Sequence, residues 1–284
     1  MRPASFTYQR PTSVAEAVRM LSADGAKALA GGHSLIPAMN QRLNQPDVIV
    51  DLGRLDELKG VSVTGSSRLE IGALTPHAQI ATSPNVRQYC RALAQACGML
   101  GDPQVRNWGT LGGNLAHADP ASDPPTVILA ADARLNLLGA SGPRAVSAND
   151  FFVDLFTTAL QPGEMITSIE IPIVVDRKSG YAKLPHPASR YAVAGVAVFL
   201  DMGNGVCTHA RVAVGGATPK ATRSPGAERA LTGSRLDAAA LDAAANALMA
   251  DIAGSATSDI YAPAEYRTAM AGALLKQAVA SAMA

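Results

Sequence analysis

Apolar residues in the first third of the chain switch between helical and strand periods. Val14, Ala17, Val18 and Leu21 recur at helical spacing behind Ser13 and Glu16, an S-x-x-E capping box that predicts the first helix. Ala28-Leu29 reads as a strand entering a glycine segment. A helix follows from Leu35 to Arg42 with Ser34 as its N-cap, and Val48 to Leu52 reads as a buried strand ended by Gly53. Residues 1–57 thus form a small β/α unit. Val61 to Val63 and Leu69 to Leu74 pair as a hairpin across Thr64-Gly65-Ser66-Ser67, and Thr75-Pro76 opens a short helix. A longer helix from Pro84 to Leu100 is predicted, with Val86, Tyr89, Cys90, Leu93, Ala96, Cys97 and Leu100 along one face.

That helix delivers the chain into Gly101 to Pro125, which reads as a loop around Thr110-Leu111-Gly112-Gly113-Asn114. Asp123-Pro124-Pro125 caps a helix running to Ala131, with a ligand contact the alternative role for Asp123. Leu135 to Leu138, Ala145-Val146 and Ile166 to Ile171 supply further strands, and the sheet closes near Pro172, giving a second unit over 58–175. From Asp176 the pattern changes. Long strands at 180–184, 191–202 and 206–217 precede amphipathic Ala-rich helices at 223–232, 237–250 and 263–283, the order of a separate α+β domain over 176–284.

Composition narrows the chemistry. With 284 residues, 48% hydrophobic and 17% charged, the chain can bury the cores of two or three domains. A formal charge of +1 with no Lys/Arg run argues against nucleic acid or an anionic membrane surface as partner. No apolar run reaches the length of a membrane span and the start lacks a signal-peptide centre, so a cytoplasmic location is expected. Cys90, Cys97 and Cys207 are odd in number and lack C-x-x-C spacing, which encodes neither a disulfide framework nor an iron–sulfur or zinc site. His117-Ala118-Asp119 is the one close His/carboxylate pair, and it is too sparse to predict a metal site.

What remains is a pair of glycine segments about eighty residues apart, Ala30-Gly31-Gly32-His33-Ser34-Leu35 and Thr110 to Asn114. Adjacent glycines admit positive φ and let a ligand reach main-chain N–H groups, and a helix N-terminus behind them favours an anion. Thr110 and Asn114 add side-chain donors. Neither segment has the G-x-G-x-x-G or G-K-[ST] spacing, so a phosphate-bearing ligand would be held in another way.

AGGHSLIPAMNQRL at 30–43, DPQVRNWGTLGGNLAHADPASD at 102–123, SIEIP at 168–172 and PAEYRTAMAG at 263–272 strongly resemble the FAD-binding medium subunit of molybdenum hydroxylases, the xanthine dehydrogenase family, and most of all its aerobic carbon monoxide dehydrogenase branch. The resemblance covers nearly the whole length. It implies an α+β chain with a vanillyl-alcohol-oxidase-type FAD-binding domain of two α/β subdomains, followed by a C-terminal α+β domain. It also implies that Ala30, Gly31, Gly32, His33, Ser34 and Leu35 meet the FAD pyrophosphate from one side, and Thr110, Leu111, Gly112, Gly113 and Asn114 from the other. Carried over one at a time, Asp123 matches an acidic cofactor contact, Leu100 a contact to the ring system, Ile166 an apolar contact and Lys183 a basic one. Tyr191 matches an aromatic that covers one face of the isoalloxazine.

The resemblance further implies a relay, from a molybdopterin cofactor in a large subunit through [2Fe–2S] clusters in a small subunit to FAD here and on to an external acceptor, in a dimer of heterotrimers. Three unclustered cysteines fit a divided system, and no catalytic acid or base is expected in this chain. The absence of an NAD fingerprint favours a quinone, a cytochrome or oxygen as acceptor. Two alternatives stay open: a self-contained flavin oxidase or dehydrogenase using His33, His117 or Tyr191, and a non-redox assembly subunit.

Overall fold

A computed structural model describes residues 2–65 and 67–284. β1 (Thr7–Gln9), β2 (Ala26–Leu29) and β3 (Val48–Asp51) form a parallel sheet in the order β1-β3-β2, crossed over by α1 (Val14–Leu21) and α2 (Leu35–Asn40). Ala17 and Leu21 pack against Val50, Leu52 and Leu58, as their helical spacing requires. Ser13 Oγ caps α1 by accepting the Glu16 N–H at 3.2 Å. The reciprocal arm of the capping box differs from expectation. The Glu16 carboxylate accepts from Thr12 N (2.6 Å) and Thr12 Oγ1 (2.8 Å), because Thr12 offers two donors one residue before the cap.

β4 (Val61–Thr64) and β5 (Arg68–Gly72) lead into six short helices: α3 (His77–Thr82), α4 (Pro84–Tyr89), α5 (Arg91–Met99), α6 (Pro103–Trp108), α7 (Leu111–His117) and α8 (Asp123–Ala130). Ser66 of the predicted hairpin turn lies outside the described residues. β6 (Arg134–Gly139), β7 (Gly142–Ser147), α9 (Ala148–Phe151), the small hairpin β8 (Phe152–Asp154) and β9 (Thr157–Thr158), and β10 (Met165–Pro172) follow. The antiparallel sheet β4-β5-β10-β6-β7 buries Leu69, Ile71, Leu135, Leu137, Ile169 and Ile171 on one face. Its other face carries Arg68, Asn136 and Glu170, linked at 2.9–3.2 Å. This is the period-2 alternation of a half-covered sheet.

Three expectations change here. The single helix over 84–100 is two, broken at Cys90 (φ −148°, ψ 63°). The second is capped from a distance: Ser179 Oγ, 87 residues on, accepts the Ala92 N–H at 3.2 Å. The stretch 101–125 is largely helical, with Asp102 Oδ1 capping α6 at Val105 N (2.8 Å) and Thr110 Oγ1 capping α7 at Gly113 N (3.2 Å). Asp123 is not the cap of α8. Ser122 holds that position and Asp123 is the first helical residue, its carboxylate turned to other work.

β11 (Arg177–Pro185), β12 (Ala192–Gly203), β13 (Val206–Gly215) and β14 (Thr222–Arg223) form an antiparallel sheet in that order. α10 (Pro225–Leu231), α11 (Ala238–Ile252) and α12 (Ala264–Met283) cover one face of it. β12 is buried on both sides, which explains its unbroken apolar run: Val196, Val198 and Leu200 face the helices, whereas Ala197 and Phe199 join the core beneath α8. Every residue of α8 is buried, between the middle sheet and this one. Burial of each large side chain here contributes about 1.5–3 kcal/mol, so the layers are welded rather than hinged.

Candidate functional site

The two glycine segments meet. A Cβ on Gly31 would stand 2.8 Å from Gly109 Cα and closer still to the Trp108 carbonyl oxygen, so the first segment lies main chain to main chain on the turn that opens α7. A Cβ on Gly113 would lie 3.3 Å from Ala30 Cβ and 2.9 Å from Thr110 Oγ1. Gly32 takes φ +76°, a left-handed conformation that sends the chain into α2. Gly112 and Gly113 are helical rather than left-handed. Their lack of a side chain serves close approach, Gly112 to Ala73 and Gly113 to Ala30.

The main-chain donors divide unequally. At α7 the Leu111 N–H goes to Thr75 O (3.1 Å), the Gly112 N–H to Ala73 O (2.8 Å) and the Gly113 N–H to Thr110 Oγ1, so this helix start has spent its free amides inside the protein. In the first segment, no described hydrogen bond uses the N–H of Gly31, Gly32, His33, Ser34 or Leu35, and Ser34 does not cap α2 with its side chain. Five successive donors on partly exposed backbone are what an anionic group requires. Asn114 accepts from Ser122 Oγ at 2.9 Å, leaving its amide N–H groups as the donors at the second segment.

Behind this meeting point lies a buried polar cluster. Asp123 Oδ1 accepts from Tyr181 Oη (2.6 Å) and Asp123 Oδ2 from Lys183 Nζ (2.7 Å), with the side chains of Asp123 and Lys183 only 1% and 2% exposed. Burial pushes the Asp123 carboxyl up, and the Lys183 ammonium opposes that push. Lys183 also donates to Met99 O (3.2 Å) and Arg190 O (2.8 Å), so all three of its donors are spent. Tyr191, next to Arg190 and 41% exposed, begins the chain's entry into β12. Leu100, next to Met99, is buried, and its carbonyl accepts from Arg106 Nη1 at 2.8 Å. Ile166 is buried in β10, one residue before Thr167, whose carbonyl takes the Ala73 N–H at 3.0 Å and so backs Gly112.

Tyr181 and His77 are members of this environment that the sequence pattern did not single out. Tyr181 shares a strand face with Lys183, two residues away, and that spacing was the available signal. His77 has no such signal. It is buried against Gly109, its Nδ1 3.7 Å from Cys97 Sγ, and burial with help from nearby His33 lowers its pKa to about 4. It is therefore a neutral imidazole wedged behind the turn. Among the described residues no group of three or more His, Cys, Asp or Glu is placed to hold a metal, and no helix is long and apolar enough to cross a membrane.

The geometry has counterparts among known proteins. Residues 4–174 match the family model described as the FAD binding domain in molybdopterin dehydrogenase, and residues 179–282 match the CO dehydrogenase flavoprotein C-terminal domain. The chain is 38% identical over 287 residues to the carbon monoxide dehydrogenase medium chain of Hydrogenophaga pseudoflava, covering 100% of this chain and 99% of that one. It is also 38% identical over 268 residues to the glyceraldehyde dehydrogenase medium chain of Sulfolobus acidocaldarius, covering 94% and 92%. The solved structure of carbon monoxide dehydrogenase from Hydrogenophaga pseudoflava, in a form lacking the Mo-pyranopterin moiety, superposes with a TM-score of 0.94 over 100% of this chain and 99% of that chain, at 38% identity.

Proposed function

Since the chain belongs to the family of FAD-binding medium subunits of molybdenum hydroxylases, we propose that it is the electron-transfer subunit of such an enzyme, taking electrons from iron–sulfur clusters of a partner and passing them to an external acceptor. Its relatives are named medium chains, one chain among several. We read the companions as a large molybdopterin subunit and a small [2Fe–2S] subunit, joined in a dimer of heterotrimers. A cytoplasmic setting accords with three free, buried cysteines.

The observation that carries this reading is the run of five unspent amides from Gly31 to Leu35, whose first residue lies main chain to main chain on Trp108 and Gly109, the turn before α7. That run suits the pyrophosphate of FAD, and Thr110 and Asn114 bound it on the opposite side. Leu100, Ile166 and Tyr191 supply apolar and aromatic surface for the ring, while Asp123 and Lys183 act from beneath it. Residues 1–57 and 58–175 are the two cofactor-binding subdomains in this scheme, and 176–284 is the domain that carries Tyr191. When bound, FAD supplies the conversion between single-electron and paired-electron transfer. The chain's own residues bind it, orient it and exclude water, and we assign none of them the role of general acid or base.

The relatives named for carbon monoxide and for glyceraldehyde are equally identical at 38%, which supports our assigning the choice of oxidised molecule to the large subunit. The experiment is mild affinity purification from the native host, followed by an absorbance spectrum and identification of bound chains and metals. Flavin, iron, molybdenum and two further polypeptides are expected. A yellow protein without partners would instead establish a free-standing flavoenzyme. A colourless chain that leaves the emission of its single tryptophan, Trp108, unchanged on adding FAD would end the reading, because Trp108 O touches Gly31.

A further inference from the structure

The Lys183 ammonium has three acceptors, and two of them stand one residue before side chains of the site. Met99 O precedes Leu100 and Arg190 O precedes Tyr191. The third, Asp123, comes from α8 and neutralises the charge in a place closed to solvent. Around Arg190 the chain makes a tight turn: the Arg190 N–H goes to His186 O (2.8 Å) and the His186 N–H to Tyr191 O (2.7 Å). Arg190 sits at φ +61°, a conformation that L side chains seldom adopt without help from their surroundings. The help comes from inside, through the bond from Lys183, and from outside, where the His186 ring packs at a tilt of 57° against Tyr261 with centroids 4.3 Å apart.

We propose that Lys183 is a positioning residue, whose buried ammonium sets the spacing between Leu100 and Tyr191 by holding the carbonyls of Met99 and Arg190 at once, with Asp123 and Tyr181 keeping that ammonium in place. The inference rests on the reading of Leu100 and Tyr191 as the residues that line the flavin ring. An ammonium suits the task because its three donors diverge, whereas a guanidinium is a planar fork. Charge alone is therefore insufficient, and arginine does not replace lysine here.

The test uses the full chain without FAD, so its result is independent of whether the chain binds flavin. Hydrogen exchange is measured at 100–106 and 186–191 in the native chain, in Lys183→Arg, and in the doubly neutral Asp123→Asn/Lys183→Met, which avoids stranding a buried carboxylate. In both variants exchange at the two segments should rise together by about ten- to a hundredfold, while 196–200 in β12 stays protected. In flavin-loaded variants the flavin absorbance bands should shift. Unchanged exchange at both segments would overturn the proposal, as would a rise that includes 196–200. Restoration by Lys183→Arg would reduce the role to charge. If the double variant does not fold, the native chain still decides: its Arg190 amide, on an exposed turn, must exchange slowly, and free exchange there would refute the clamp.

Discussion

Replacing Gly31 with alanine adds one methyl group where the two glycine segments touch. That Cβ would lie 2.8 Å from Gly109 Cα and from the Trp108 carbonyl carbon, inside the 3.0 Å that real Cβ atoms keep. Neither side yields easily. Leu29 O is tied to Leu52 N (2.9 Å), and the Gly109 N–H and carbonyl are bonded to Val105 O (2.7 Å) and His77 N (3.0 Å). Overpacking of this kind costs about 1–3 kcal/mol, and the same displacement of the five free amides would weaken FAD binding by roughly ten- to a hundredfold. Urea unfolding of the FAD-free protein measures the first effect, and quenching of Trp108 emission on titration with FAD measures the second. Gly98→Ala is the control. Its new Cβ would meet only Ala81 Cβ, at 3.9 Å inside α5, so it should be neutral or stabilising by about 0.5–1 kcal/mol. A Gly31→Ala protein with native stability and native FAD affinity would refute the main-chain contact and the anion site built on it.

His77 gives a pH-dependent prediction. Its pKa falls from 6.5 to about 4 on folding, so its burial supports the fold fully above pH 6.5 and loses that support as pH falls through 4, a change of about 3 kcal/mol. His77→Gln should flatten the stability profile over that window by this amount, and an unchanged slope would assign the effect elsewhere. Gly113→Val places a branched side chain against Ala30 and the Thr110 cap, so a folded variant should lose FAD, and stoichiometric flavin in it would displace the phosphate from this place. Tyr191→Ala should retain FAD with altered flavin absorbance, and an identical spectrum would count against ring stacking.

Local signals told most of the story where partners are close in sequence. The Ser13 cap of the first helix, the Ala-rich helices and the alternating strands read correctly because their determinants lie within a few residues. The glycine pairs were visible, yet their use was not. Whether Gly112 and Gly113 turn left or lie in a helix depends on Ala73 and Ala30, which arrive from other elements. The break at Cys90 depends on Ser179, and the clamp on Lys183 depends on Asp123, 60 residues before it. A lysine in a strand reads as a solvated residue until a carboxylate from elsewhere neutralises it.

The envelopment of α8 bears on the order in which the chain is completed during synthesis. This helix lies within the amino-terminal part that matches FAD-binding domains, yet Tyr181, Ala197, Phe199 and Ala213 belong to the same core and leave the ribosome later. Until β12 and β13 have emerged, α8 packs on its neighbouring helices α5, α7 and α9 alone, and the side of DPPTVILA that these strands cover is open to water. A nascent chain that ends before β11 therefore lacks part of the surface against which α8 is buried in the finished fold. The half that matches FAD-binding domains is thus closed from the carboxyl-terminal side, and its core is complete only once the last of these strands has been made.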